Sequence, residues 1–357
     1  MAFFCLNGKL GQIFVWRIRL EFLYEYGLFL AKTATFVIAA AAVILISVAA
    51  AIKPKSKKGE IEIDDISEQL DDLKNDFIAS TLSKKALKAH HKAQKNDAKK
   101  STDEQSKPRL YVLDFNGSMD AHEVDSLREE ITAIVAIADP KQDKVLVRLE
   151  SGGGVVHGYG LAASQLQRIK NRGIHLTVAI DKVAASGGYM MACVADHVLA
   201  AKFAIIGSIG VIAQLPNFNK LLKKSNIDFE QHTAGEFKRT LTMFGENNDQ
   251  GREKFKAELE DVHHMFKDFV QSQRPELDIA KVATGEYWYG IRAKELGLVD
   301  EIQTSDDYIL SANEDKKIFT VKYSMKKSLP ERLGLAASLS VESLLMKLWS
   351  KSESNFR

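Results

Sequence analysis

Between Thr33 and Ile52 the chain runs for 20 residues without a charge, TATFVIAAAAVILISVAAAI. A helix rising about 1.5 Å per residue carries such a run across roughly 30 Å, the hydrocarbon thickness of a bilayer. A buried core helix of this length would show a polar face, whereas here only threonine and serine interrupt the apolar residues. The pattern therefore predicts an uncleaved transmembrane anchor. A cleaved signal peptide is the competing expectation, because Ala49-Ala50-Ala51 resembles a small-residue cleavage site. The run is long for a signal h-region, and more than 30 residues precede it. Residues 1–20 differ in character from the rest of the chain and read as an upstream extension.

The pattern then turns charged. Residues 60–76 are acidic and residues 84–100 are basic, with His90-His91 between lysines. Ile66, Leu70, Leu73 and Phe77 keep helical spacing, so the acidic stretch is expected to be an amphipathic helix. The basic stretch reads as a solvated helical spacer. His90-His91 has no further ligand-type residues at metal-site spacing, and no metal is expected there.

From Arg109 the pattern alternates between apolar runs and helical periodicity. Strands are expected over 109–115, 143–150, 175–181 and 227–233, with further β-type stretches in 197–213 around Gly207 and Gly210. Helices are expected over 121–138, 158–172, 187–195, 217–225 and 249–273. Strands alternating with helices in this way predict an α/β architecture with covered parallel strands. Residues 189–213 are apolar enough to raise a second membrane span, but Asp196, His197, Lys202 and two glycines interrupt them, so a buried core is expected. The resulting organisation is an extension and anchor over 1–53 with its helix at about 33–52, a charged spacer over 54–107, a folded domain over 108–325 and a C-terminal helical segment over 326–357.

Composition adds little. With 357 residues the chain exceeds what one core usually organises. Its net charge of +2 gives no global reason to expect nucleic acid. Cys5 and Cys193 lie in unlike contexts, so no disulfide is expected. The positive-inside rule is nearly balanced: Lys9, Arg17, Arg19 and Lys32 precede the anchor and Lys53, Lys55, Lys57 and Lys58 come after it. That leans towards a cytoplasmic C-terminal part.

Three segments carry candidate chemistry. Glu150-Ser-Gly-Gly-Gly154 comes directly after a strand, and glycines there let backbone N–H groups approach a ligand, as an oxyanion hole requires. The glycine spacing is not that of a dinucleotide fingerprint. Ser186 lies in Asp181-Lys-Val-Ala-Ala-Ser-Gly-Gly-Tyr-Met190, where a strand pattern gives way to a helical one. It is either a nucleophile, with Gly187 N–H as an oxyanion donor, or a helix cap. Lys238 closes Thr233-Ala-Gly-Glu-Phe-Lys238. A lysine serves as a base only when burial lowers its pKa from about 10.4 to about 7–8, worth roughly 4 kcal/mol, with no carboxylate facing it. Taken alone, Lys238 reads as a surface lysine, and Glu236 would oppose the shift if it faced the amine. A Ser–His–Asp arrangement stays open, because His157, His175, His197, His232, His263 and His264 are all present and nothing ties one of them to Ser186.

Six segments together have a more specific likeness. They are SMDAHEVDSLREEITA (118–133), HGYGLAASQLQRI (157–169), DKVAASGGYMMACVAD (181–196), GSIGV (207–211), HTAGEFKRTL (232–241) and TGEYWYG with GLVDE after it (284–301). With them the chain resembles the signal peptide peptidase A (protease IV) family of bacterial inner-membrane proteases, from about Glu25 to near the C-terminus. That resemblance implies a spiral of ββα units of the Clp-protease and crotonase type. It implies Ser186 as nucleophile, Lys238 as base, and Ser208 helping to position the lysine amine. The glycine loop maps onto Gly153 and Gly154, which with Gly187 would bind the oxyanion. Where the family usually has Ser-Pro-Gly-Gly, this chain has Ser151-Gly152-Gly153-Gly154, and losing the proline loosens the loop slightly.

The function so implied is a membrane-anchored endopeptidase without cofactor or metal, acting on signal peptides or other short or unfolded membrane-associated polypeptides. The partners implied are the peptide substrate, membrane lipid and further copies in a ring. The signal-peptide role favours a periplasmic catalytic domain, against the lean of the lysines. Two alternatives stand beside it: an inactive membrane scaffold or binding module with the same fold, and an acyl-CoA enzyme of the crotonase type that would need neither Ser186 nor Lys238.

Overall fold

The structure is a computed structural model that describes residues 24–40, 43, 59–83, 85–88 and 107–325. The chain divides into two units, residues 1–58 and 59–357. In the first, residues 24–40 are helical. The hydroxyls of Thr33 and Thr35 donate to the carbonyls of Phe29 and Ala31, four residues back, so these polar side chains are satisfied within their own helix. Among the described residues no helix is long and apolar enough to cross a membrane. The expected span 33–52 is described only over 33–40 and at Val43, and the rest lies outside the described residues. So do His90-His91 and the segment 326–357.

Seven strands make the main sheet of the second unit: β1 (Glu60–Asp65), β2 (Arg109–Asn116), β3 (Lys144–Glu150), β4 (His175–Ile180), β6 (His197–Ala200), β9 (Glu301–Ile302) and β10 (Lys317–Ser324). They lie in the order β1-β10-β2-β3-β4-β6-β9. All neighbours run parallel except β1, which pairs antiparallel with β10. Three short strands, β5 (Val183–Ala185), β7 (Ile205–Gly207) and β8 (Tyr287–Tyr289), form a second sheet in the order β5-β7-β8. The α/β expectation holds. After β4 and again after β6 the chain adds one short strand to the small sheet, and the helix Gly187–Ala192 comes after the first of these, β5.

Side-chain alternation along the strands sets the layers. Tyr111, Leu113, Phe115, Val145, Val147, Leu149, Leu176, Val178 and Ile180 enter the main core, together with Leu127, Ile131 and Ile134 of the helix Val124–Ile137 and Leu166 and Ile169 of Val156–Asn171. Leu110, Val112, Leu146 and Ala179 point to the other face and meet a thinner layer of Ile66, Leu70, Tyr308 and Ile309. Residues 187–195 are buried as expected, which accounts for the apolarity of this stretch without a second membrane span. Burial pushes the Cys193 thiol up to about 12, so it is an inert core residue.

Two expectations are corrected. Residues 60–65 form not the start of a helix but a strand in register Glu60↔Ser324 to Asp65↔Phe319. The sequence there, EIEIDD, alternates apolar and acidic residues with period two, and the acid content obscured it. The helix begins only at Ile66, capped by Asp65, whose carboxylate accepts the Glu68 N–H at 2.9 Å. The expected strand over 227–233 is absent: these residues are exposed and irregular. The arm they belong to is tied by side chains instead. Asn217 donates to the carbonyls of Thr242 (2.8 Å) and Gly245 (3.0 Å), Asn219 donates to Phe244 O, and Phe218 stacks on Phe244.

Glu130 is an unusual occupant of the core, 5% exposed. Its carboxylate accepts the Tyr323 N–H at 2.8 Å, joining the helix Val124–Ile137 to β10. Burial pushes its pKa up, the Tyr323 bond pulls it down, and the charge of Asp114 adds to the rise. A folded-state value above the unfolded one favours folding below the unfolded pKa, and that contribution is lost as pH rises through the folded value. Above the unfolded carboxylate range the buried carboxyl therefore costs stability. Glu130→Gln keeps an acceptor for Tyr323 and removes the charge. Its melting temperature is expected to exceed that of the unsubstituted protein at about pH 7–8, with the gap closing as pH falls through the carboxylate range. Calorimetry across that range would count against this account if the gap were constant.

Candidate active site

Ser186 sits directly after β5 and opens the helix Gly187–Ala192. Its backbone sits at φ 52°, ψ −119°, a conformation that side chains other than glycine rarely adopt. The strain is held from both sides. Ser186 N donates to Gly207 O at 2.7 Å, and Ser186 O accepts Met190 N at 3.0 Å. The side chain makes no cap hydrogen bond to the helix it starts. That speaks against the capping alternative, because a capping serine has extended backbone and spends its oxygen on the helix N–H groups. A sharp strand-to-helix turn with a free oxygen is the shape of a nucleophile elbow.

The glycine loop meets this turn at Gly153, which has φ +86°. A methyl group there would lie 2.7 Å from Ala185 O, Gly187 N and Ser186 Cβ, so no side chain fits between loop and elbow. Contact is reinforced by a ladder: Ser151 N donates to Val183 O (2.9 Å) and Ala185 N donates to Ser151 O (3.0 Å). Of the two loop glycines, Gly153 N donates to Ser151 Oγ at 3.1 Å, whereas Gly154 N makes no hydrogen bond among the described residues.

Ser208 and Lys238 are placed less simply. Ser208 comes directly after β7, also at positive φ (51°), and its N–H donates to Glu286 O at 2.7 Å. Its hydroxyl reaches Gly285 O at 3.4 Å and makes no bond to Lys238 among the described residues. Lys238 is exposed in the irregular arm after the Asn219–Lys224 helix. It lines a cleft of about 730 Å³ with Phe229, His232, Met243 and Phe244, and Ser186 is not in that wall. Among the described residues Gly153 thus meets Ser186 and Gly187, while Lys238 lines a cleft whose wall does not include Ser186. Among the described residues nothing in the arm pairs with a sheet, and Leu221, Ile227 and Phe237 are exposed.

Other bases are accounted for. Lys182, the lysine nearest Ser186 in sequence, binds Glu150 at 2.8 Å, a bond that raises its pKa and keeps it protonated. Among the described residues no histidine bonds to Ser186. His157 is exposed, His232 lies beside Glu230, and His263 spends Nε2 on the carbonyls of Ile209 and Ala283. Two residues beside the loop had no role in the sequence reading, Ser151, quoted there only as part of the glycine motif, and Tyr159, whose hydroxyls lie 2.5 Å apart. Tyr159 shares a helix face with Ala162, Ala163, Leu166 and Ile169, a spacing that signals burial but not where its hydroxyl goes.

Comparison with known proteins is consistent with this geometry. Residues 21–166 match the family described as peptidase family S49 N-terminal, and residues 168–319 match peptidase family S49. The probable protease SohB of Haemophilus influenzae is 48% identical over 352 residues, covering 94% of this chain and 99% of that protein. Its counterpart in Buchnera aphidicola subsp. Schlechtendalia chinensis is 50% identical over 305 residues, covering 82% of this chain and all of that protein. Among solved structures, a mutant of the 1510-N membrane-bound stomatin-specific protease in complex with a substrate peptide overlays with TM-score 0.40 and 12% identity. It covers 64% of this chain and 96% of that one, a likeness too loose to transfer mechanism.

Proposed function

We propose, for a chain that belongs to peptidase family S49, a membrane-anchored serine endopeptidase working through Ser186 and Lys238. The observation that carries this is the Ser186 turn, strained, free of any capping bond and closed against a glycine loop. Neutral Lys238 takes the Ser186 proton as the oxygen attacks a peptide carbonyl. The N–H groups of Gly187 and Gly154 hold the oxyanion, the lysine returns the proton to the leaving amine, and water releases the acyl group. Ser208, at the end of the strand that holds the elbow, is the residue proposed to steady the amine.

Lys238 needs cover to lose its charge. Ile212, Leu221, Ile227 and Phe237 of the same arm are 78%, 59%, 52% and 44% exposed, an apolar surface of the kind that copies of a chain cover in each other. Assembly into a homo-oligomeric ring is the form in which the base is proposed to be competent. The uncharged run 33–52 supports an anchor in the bacterial inner membrane. With the anchor, the proposed substrates are signal peptides and other short or unfolded membrane-associated polypeptides.

A fluorophosphonate probe, which phosphonylates an activated serine with loss of fluoride, tests this on the full chain in detergent. The expected result is a single adduct mapped to Ser186 by peptide mass spectrometry. An adduct on another serine would move the nucleophile away from Ser186, and none on the assembled protein at about pH 8 would favour an inactive scaffold of the same fold.

A further inference from the structure

Behind the glycine loop lies a chain of two buried hydroxyls. Tyr159 is 0% exposed and Ser151 2%. The Tyr159 hydroxyl donates to Ser118 O at 2.7 Å, so it has no proton left for the Ser151 oxygen 2.5 Å away. Ser151 must donate there, and its oxygen in turn accepts Gly153 N–H at 3.1 Å. The direction is fixed throughout: Gly153 N–H to Ser151, Ser151 to Tyr159, Tyr159 to the Ser118 carbonyl. Each hydroxyl donates once and accepts once, and none is left unsatisfied.

The same tyrosine touches the other half of the oxyanion site. A methyl group on Gly187 would run into the Tyr159 side chain, at ring atoms Cγ and Cδ2 and at Cβ, so Gly187 lies directly against that ring. One side chain therefore supports Gly187 with its ring and, through Ser151, holds the loop that carries Gly154 with its hydroxyl. The outer side of the loop is held by the Ser118 segment as well, since Val155 N donates to Met119 O at 2.9 Å.

We infer that Tyr159 and Ser151 are positioning residues that set the spacing of the two oxyanion donors, Gly154 N–H and Gly187 N–H. This rests on the proposed Ser186 mechanism. Oxyanion donors act only when held about 2.7–3.1 Å from where the developing charge will sit, so a small drift costs rate without weakening ground-state binding.

The test is Tyr159→Phe, which keeps the ring and removes the relay, with Ser151→Ala as a second, smaller change. Both are assayed in the full chain beside Ser186→Ala on a short apolar peptide. For each relay variant kcat is expected to fall about tenfold to a hundredfold with KM within about twofold, below the 10²–10³ that losing a donor outright costs. Affinity for a peptide boronate, which mimics the tetrahedral state, should fall in step with kcat/KM. A fall in kcat without that loss of boronate affinity would mean a merely structural role and overturn the inference. So would unchanged kcat in both folded variants. If Ser186→Ala itself stayed active, the mechanism beneath the inference would fail instead, a distinguishable result.

Discussion

Ser186→Ala is expected to lower peptide hydrolysis by about four orders of magnitude or more, the scale seen when a serine nucleophile is removed. The melting temperature should not fall with it. The Ser186 hydroxyl caps nothing, so its loss breaks no bond of the helix it opens. Ser186→Gly sharpens the point. At φ 52° a residue with Cβ carries strain of about 1–3 kcal/mol, which glycine relieves, less its greater freedom in the unfolded chain. The glycine variant is thus expected to be at least as stable as the serine protein and equally inactive. A scaffold role for the turn predicts the reverse, with no selective reason for a strained serine. Casein or apolar-peptide hydrolysis together with thermal melts separates the two, and persistent activity in both variants would remove Ser186 from the mechanism.

Lys238→Ala is expected to cost about 10²–10⁴ in rate, the range attributed to a positioned general base. Lys238→Arg should not rescue it, because guanidinium does not deprotonate near neutral pH. Neither change should disturb the fold, since the side chain is exposed in the single chain. That exposure adds a second expectation. If the base works only when the arm is covered by another copy, specific activity should fall on dilution below the assembly range, and the dilution effect should vanish in the already inactive Lys238→Ala. Activity proportional to concentration down to monomer would show that the arm finds its cover within one chain. Full activity in Lys238→Ala would return the question to the histidines, of which His157 lies exposed beside the glycine loop.

Much of the domain was legible because its strands are buried on both faces. Expected strands at 109–115 and 143–150 appear at Arg109–Asn116 and Lys144–Glu150, and the helix over 249–273 appears with those bounds. Such runs depend on local composition alone. Residues 60–65 failed because a period-two pattern of isoleucine and acid looks like a charged spacer until its partner, far away in sequence, is known. Residues 227–233 failed in the opposite sense, with β-type composition but no neighbouring edge to pair with. At the candidate site, residue types singled out Ser186 and the glycine loop, which meet at Gly153. They could not tell a capped turn from an uncapped one, which is a matter of φ and ψ, nor show that Gly153 N–H is spent on the Ser151 oxygen.

The edge made by β1 and β10 also says something about the order in which this domain is completed. Gly59 N donates to the hydroxyl of Tyr323, 264 positions away, and the strands beside them zip in register from there. Loop closure over so long a stretch comes late, and domains tend to condense as they leave the ribosome, N-terminal parts first. Here the first strand of the unit must wait for the last. Until β10 has been synthesised, Glu60–Asp65 has no ladder to join and Ile66 and Leu70 lack part of the layer they pack against. The acidic character that hid this strand in the sequence is what suits it to waiting, since a charged, solvated segment resists premature pairing during synthesis.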